Sequence, residues 1–378
     1  MAILGSTGSI GTQALEVIAQ HPDLFEVAAL AAGKQVDKLR EQASEFGVPL
    51  TASAQDGAPG LHRVAVESGA DIVLAATDGF VSFDAVFAAV DRGIDIAVAN
   101  KELIVSAGEL LIAAAKRSGS KLLPVDSEHS AVFQCLVGED PMRVRSIILT
   151  ASGGPFWRKE SAEIAGATVE AALAHPTWRM GVKNTVDSAS MMNKGLEAIE
   201  ASRLFGLPGE RVQILVHPSS IAHGMVVFTD GSVKMQAAAP DMRLPIGYAL
   251  AYPDRLAKSA VDTGSDPLAA IGAHPEAAAL RYEFERADTV RFPCVRLAYE
   301  ALAAGGTMPA VLSAANEIAV AAFVEGEIRF GQIPEIIELA MAGAGTEELS
   351  LDGVRRADRS ARERARAAVT QRRCTQEV

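Results

Sequence analysis

The first 125 residues alternate short apolar runs with amphipathic stretches. Ala2–Leu4, Glu26–Ala31, Ile72–Ala75, Asp95–Ala99 and Lys121–Pro124 are brief and largely apolar, as strands buried on both faces are. Between them, Thr12–Gln20, Val36–Phe46 and Ala107–Arg117 repeat apolar positions at helical spacing. Units of this length predict a parallel sheet with helices on both faces. The rhythm then changes. Ser146–Thr150, Val212–Val216, Met225–Phe228 and Ser232–Ala237 read as strands, with a hairpin turn at Thr229-Asp230-Gly231 between the last two. Asp254 to about Thr289 is mostly turns and Ala-rich linker. From Phe292 onward helical patterns dominate, punctuated by Pro309, Gly331 and Pro334.

Composition narrows the class of protein. The chain has 378 residues, which exceeds one simple domain, and is 49% hydrophobic, enough for several packed cores. Its net charge of −12 argues against nucleic acid as a primary partner, because neutralising phosphates needs a basic excess. A local basic pocket for one small phosphate remains compatible with it. Cys135, Cys294 and Cys374 are odd in number and widely spaced, so neither a disulfide framework nor a metal knuckle is expected. A reducing cytoplasm is the simplest compartment. The uncharged run Val212–Thr229 contains His217, Ser219, Ser220 and His223, too polar for a bilayer, and the N-terminus enters a strand without a targeting pattern. No membrane association is expected. Val354–Arg373 carries eight arginines and reads as a solvated helix face.

The chemistry begins at Gly5-Ser6-Thr7-Gly8-Ser9-Ile10-Gly11, between a strand and a helix. Gly5 allows a sharp exit from the strand, Gly8 admits a pyrophosphate to the backbone, and Gly11 lets helix and strand pack closely. The helix N-terminus offers free N–H groups to phosphate. The expected fold is therefore α/β. It has an N-terminal Rossmann-type parallel sheet over 1–125, a central mixed α/β domain over 126–255, a linker over 256–290 and a small helical C-terminal domain over 291–378. An NAD site usually ends its second strand with a carboxylate, whereas Val27–Ala32 runs into Gly33-Lys34-Gln35, favouring NADP(H). Asn100-Lys101-Glu102 follows a strand, where ligands gather in such sheets. Asp126-Ser127-Glu128, taken as extended, would point two carboxylates the same way with no neighbouring Lys or Arg, which suits Mg²⁺ or Mn²⁺. A helix N-cap pair is the alternative. Asn193, Lys194 and Glu197 share one helical face and supply a third carboxylate, against the alternative of a solvated face. Ser152-Gly153-Gly154 offers a hydroxyl and backbone N–H groups. His175-Pro176-Thr177-Trp178-Arg179-Met180-Gly181 reads as a mobile lid with an exposed Trp, or else an ordinary surface loop.

Together with Val125-Asp126-Ser127-Glu128-His129, Ala151–Phe156 and Met192–Glu197, these segments resemble the 1-deoxy-D-xylulose 5-phosphate reductoisomerases. The resemblance runs from residue 2 to at least Asn316–Phe330. It implies a homodimeric enzyme of the non-mevalonate isoprenoid route that converts a sugar phosphate to 2-C-methyl-D-erythritol 4-phosphate. NADPH and Mg²⁺ or Mn²⁺ would be its cofactors, with Co²⁺ a further candidate. Asp126, Glu128 and Glu197 would bind the metal. Ser152, Ser188, Asn193 and Lys194 would hold the substrate phosphate, with His175 closing over it. Lys101, Ser127 and Glu128 would contact the oxygenated carbons, and Trp178 would cap the site. Thr7, Gly8, Ser9, Ile10, Gly33, Lys34, Gln35, Asn100, Glu102 and Gly181 would line NADPH. Lys101, Asp126, Glu128, His175, Trp178 and Glu197 form the expected catalytic set. The chain departs from the family pattern at Gln35, where Asn is frequent, at His217–Gly224, and at Gly247, where Gln is frequent. The rivals are a homoserine- or semialdehyde-dehydrogenase-like enzyme, the latter needing an activated Cys, and a non-catalytic dinucleotide-binding regulator.

Overall fold

In the computed structural model, which describes residues 1–258, 261, 267–272, 280–345 and 347–374, apolar runs of three or four residues become largely buried strands. The chain divides into two compact units. The first comprises Met1–Leu103, Leu111–Glu139 and Met235–Leu280, and the second Ile104–Leu110, Asp140–Lys234 and Arg281 onward.

The early chain gives β1 (Ala2–Leu4), α1 (Ser9–Ala19), β2 (Ala29–Ala31), α2 (Val36–Phe46), β3 (Leu50–Ala52), α3 (Gly57–His62), β4 (Ile72–Ala75), α4 (Phe83–Asp91), β5 (Asp95–Val98), α5 (Lys101–Ser118), β6 (Leu122–Pro124) and α6 (Ser127–Leu136). Strands β1 to β6 form a parallel sheet in the order β3-β2-β1-β4-β5-β6. The order reverses beside β1, the switch point at which such sheets bind ligands. Three residues with one partly exposed Thr gave β3 no readable pattern. The core of this unit joins Ile3, Leu30 and Leu74 to Leu15 and Ile18 of α1. A later segment completes it, because Ile246, Ala249 and Leu250 enter the same core.

The chain continues through β7 (Val144–Ala151), α7 (Ser161–Ala165), α8 (Val169–Leu173), α9 (Val182–Ala189), α10 (Met192–Phe205), β8 (Val212–Val216), β9 (Ala222–Phe228), β10 (Val233–Ala237) and α11 (Arg243–Ala251). It ends with β11 (Glu285–Arg286), α12 (Pro293–Ala304), α13 (Met308–Val324), α14 (Ile333–Ala342) and α15 (Leu351–Cys374). The second sheet runs β10-β9-β7-β8-β11 and is mixed, with β7 parallel to β8 and antiparallel to β9. The expected hairpin is present, with Gly231 at φ +88° and Phe228 N–H donating to Ser232 O. Much of the expected linker lies outside the described residues. Among the described residues no helix is long and apolar enough to cross a membrane.

Two helical details differ from the sequence reading. Helix α5 begins at Lys101 rather than Ala107, and Ala107 is instead a non-helical kink at φ −140°, ψ 20°. Buried Arg203 donates to Ile104 O at 2.7 Å and to Val105 O, carbonyls on the kinked turn. A Cβ on Gly108 would lie 3.0 Å from Arg203 Cδ, so the glycine makes room for that side chain. The Arg-rich tail is also more than a solvated face. Arg356, Arg362, Arg372 and Arg373 pair with Glu347, Glu317, Glu335 and Glu327, while Arg364 donates to Ala340 O at 2.9 Å.

Candidate active site

In the first unit the glycine loop is shaped by contacts that leave no room for side chains. Gly5 adopts φ +94°, and a Cβ there would lie 2.3 Å from Ala76 O. A Cβ on Gly11 would lie 2.3 Å from Gly5 O. Gly8 is the N-cap of α1 and gives it no side-chain cap, so first-turn N–H groups stay available to an anion. Two residues of α2 that the sequence did not single out hold this loop. Lys38 Nζ donates to Thr7 O and Thr12 Oγ1, both at 3.0 Å, and buried Gln42 donates to Ser6 O at 3.0 Å. Gly33, Lys34 and Gln35 are exposed between β2 and α2. A pyrophosphate with a cation near its ribose fits this cradle.

Asn100 caps α5, its Oδ1 accepting Leu103 N–H at 3.0 Å while its amide donates to Gly79 O at 2.9 Å. Lys101 and Glu102 follow on the first turn and are buried. The acidic pair needs correction. Asp126 is the N-cap of α6 and Glu128 lies in that helix's first turn, so the two do not share an extended segment. Nor are they without a cation, because Lys101 Nζ lies 2.8 Å from Asp126 Oδ2. Asp126 makes no cap hydrogen bond with its side chain, and Ser127 Oγ donates to Glu128 Oε2 at 2.6 Å. A lysine beside a carboxylate leaves the local charge close to neutral, which reduces the cost of holding both groups out of water.

In the second unit Asn193, Lys194 and Glu197 share one face of α10, as the spacing predicts. That face is buried rather than solvated, with Lys194 4% and Glu197 1% exposed. Asn193 Nδ2 donates to Glu197 Oε1 and Lys194 Nζ to Oε2. Ser152, His175 and Ser188 also come together, His175 Nε2 standing 3.0 Å from each serine Oγ. Gly154 permits this approach. It sits at φ +63°, and a Cβ there would lie 2.6 Å from Ser188 O. Burial pushes the His175 pKa below the ordinary imidazole value, so the ring is neutral near pH 7. Residues 174–181, between α8 and α9, carry no regular structure. Trp178 is half-buried rather than exposed, its ring centroid 6.2 Å from that of His223.

One buried carboxylate escaped the sequence reading. Asp187 is fully buried on α9, accepting from Lys183 Nζ at 2.9 Å and from Asn316 Nδ2 at 2.8 Å. Lys183 stands four residues before it, a legible helical pair. Asn316 lies 129 positions away and gave no signal. The thiols are inert where described. Burial, assisted by the Asp187 carboxylate, pushes Cys294 up to about 12, and Cys135 is buried.

A doubly wound parallel sheet with a phosphate-type glycine loop at its switch point defines the dinucleotide-binding α/β class. Within it, the profile described as 1-deoxy-D-xylulose 5-phosphate reductoisomerase matches residues 1–58 and 50–108. Two C-terminal-domain profiles of the same family match 122–205 and 237–364. The chain is 47% identical to the 1-deoxy-D-xylulose 5-phosphate reductoisomerase of Symbiobacterium thermophilum, covering 97% of each. It is 46% identical to that of a Geobacillus species, covering 97% of this chain and 99% of the relative. Among solved structures it is similar to a DOX-P reductoisomerase in complex with NADPH, fosmidomycin and magnesium, with TM-score 0.88, 35% identity and 98% of each chain covered. The Zymomonas mobilis enzyme in complex with NADPH matches with TM-score 0.83 and 40% identity, covering 97% of this chain and 98% of that one. This chain belongs to the 1-deoxy-D-xylulose 5-phosphate reductoisomerase family.

Proposed function

We propose that the chain catalyses the NADPH- and divalent-metal-dependent rearrangement and reduction of 1-deoxy-D-xylulose 5-phosphate to 2-C-methyl-D-erythritol 4-phosphate. The observation that carries this reading is kinship along 97% of the chain with relatives that bear this enzyme's name. Neither rival is favoured, and a Cys294 thiol held protonated by burial suits a semialdehyde dehydrogenase poorly.

The residue roles are part of the proposal. Asp126, Glu128 and Glu197 hold one divalent cation, a set of hard oxygen donors suited to Mg²⁺ or Mn²⁺. The bound cation supplies Lewis acidity towards a carbonyl and an adjacent hydroxyl, and NADPH supplies the hydride. Lys101 offsets the charge of Asp126 and, with Ser127 and Glu128, orients the substrate's oxygens. Ser152, Ser188, Asn193, Lys194 and His175 bind the phosphate, and this binding away from the reacting carbons orients them. Trp178 shields the reacting end from water. Thr7, Gly8, Ser9, Ile10, Asn100, Glu102 and Gly181 line the dinucleotide, with Gly33, Lys34 and Gln35 at its 2′-phosphate. A homodimer and a cytoplasmic location complete the reading. Exposed Val233 and Met235 on strand β10 support the first, and the small, odd number of widely spaced cysteines the second.

The test follows NADPH absorbance with 1-deoxy-D-xylulose 5-phosphate, with Mg²⁺ or Mn²⁺ and after chelation. The expected result is turnover that chelation abolishes and metal restores. Folded protein that never oxidises NADPH with this substrate rejects the reading.

A further inference from the structure

The ammonium of Lys38 has three N–H donors and spends two of them on the glycine loop and the helix it opens. Nζ donates to Thr7 O and to Thr12 Oγ1, each at 3.0 Å. A tetrahedral nitrogen turns its third donor away from both. Lys38 is half-buried on the first turn of α2, just after Gln35, which starts that helix. Among the described residues it pairs with no carboxylate. The acid next to it, Asp37, is tied to Arg40 at 2.9 Å, and the first turn of α1 has no acid. A half-buried cation without a counter-charge is costly to hold, and an anionic ligand offsets that cost.

Position selects the anion. The first-turn N–H groups of α1 serve a pyrophosphate without any side chain. The ribose of a dinucleotide is met at the end of β2, where Gly33, Lys34 and Gln35 lead into α2. Lys38 joins these two places, bonded to the glycine loop and carried by the helix that follows Gln35. We propose that Lys38 is a second determinant of NADPH over NADH, its remaining N–H and its charge meeting the 2′-phosphate. The proposal rests on the reading that the glycine loop takes NADPH. A phosphate monoester carries about −1.5 to −2 charge at neutral pH, so one lysine leaves it partly uncompensated and two nearly balance it. Lys34 reaches that phosphate from solvent. Lys38 is already held by two hydrogen bonds, so it meets the phosphate with little further ordering.

Lys38 has two roles that can be separated. Bracing the loop serves NADPH and NADH alike, whereas meeting the 2′-phosphate serves NADPH alone. Lys38→Gln keeps an N–H donor for the loop and removes the charge, and Lys38→Arg keeps both. Dissociation constants for the two nucleotides are read by their fluorescence on the intact protein. The Gln variant is expected to weaken NADPH by about tenfold or more and NADH by less than about threefold. The Arg variant stays within about threefold of the parent for both. Equal losses for the two nucleotides make Lys38 a brace alone and overturn the proposal, as does a Gln variant with the parent's affinity for both. A second measurement needs no variant. In the wild type, acylation of Lys38 by an amine-reactive anhydride is followed by mass spectrometry. Saturating 2′,5′-ADP is expected to block it and saturating 5′-AMP to leave it, and protection by both alike or by neither overturns the proposal. Protein that shows these preferences yet never oxidises NADPH with 1-deoxy-D-xylulose 5-phosphate rejects the proposed substrate and leaves the role of Lys38 standing.

Discussion

Lys34 shows how far one exposed side chain can carry a cofactor preference. It follows β2, where an NAD site would place a carboxylate, and it stands in solvent. If it meets a 2′-phosphate, Lys34→Ala weakens NADPH by about tenfold or more and leaves NADH nearly unchanged, since only NADPH carries that charge. Fluorescence titration of both dinucleotides checks this, and equal losses for the two reject the role. Residues of this kind were legible because phosphate and metal chemistry accept few residue types at fixed local spacings. Asn193, Lys194 and Glu197 fall on one face of a helix, as three- and four-residue steps require. Lys38, Gln42 and Asn316 were not legible, because each bonds across 26 to 129 positions and no local pattern records that.

At the scale of elements, the glycine loop and α1 act as one piece. Gly11→Ala would push a methyl group to within 2.3 Å of Gly5 O, and the backbone cannot yield without moving the start of the helix. Overpacking of this kind costs about 1–3 kcal/mol, so a lower melting temperature and weaker NADPH binding are expected together. Unchanged melting with unchanged NADPH affinity would mean the helix does not need that close approach. The parallel sheet was legible because its strands are continuously apolar. The errors came where a polar residue served two purposes. Asp126 looked like one of two residues in an extended run, but it stands at the start of α6, where an acidic residue is also a common N-cap. The start of α5 was hidden for a similar reason. A polar triplet opens the helix, and the kink at Ala107 resets the apolar phase, so the pattern becomes regular only beyond it.

Across the whole molecule, the chain leaves and re-enters each unit. Residues 104–110 belong with the second unit and 235–280 with the first. Periodicity reports local elements and says nothing about which distant segment completes a core, so Ile246, Ala249 and Leu250 could not be assigned to the first unit from sequence. The chemistry rests on one proposed cation held by Asp126, Glu128 and Glu197. Calorimetric titration of the NADPH-loaded protein with Mn²⁺ tests this most directly, using the wild type beside Asp126→Asn and Glu197→Gln. The account predicts one ion per chain, with affinity weakened by about tenfold or more in either variant, as loss of one charged ligand entails. An Mn²⁺ site that survives intact in one variant while it disappears in the other would contradict it.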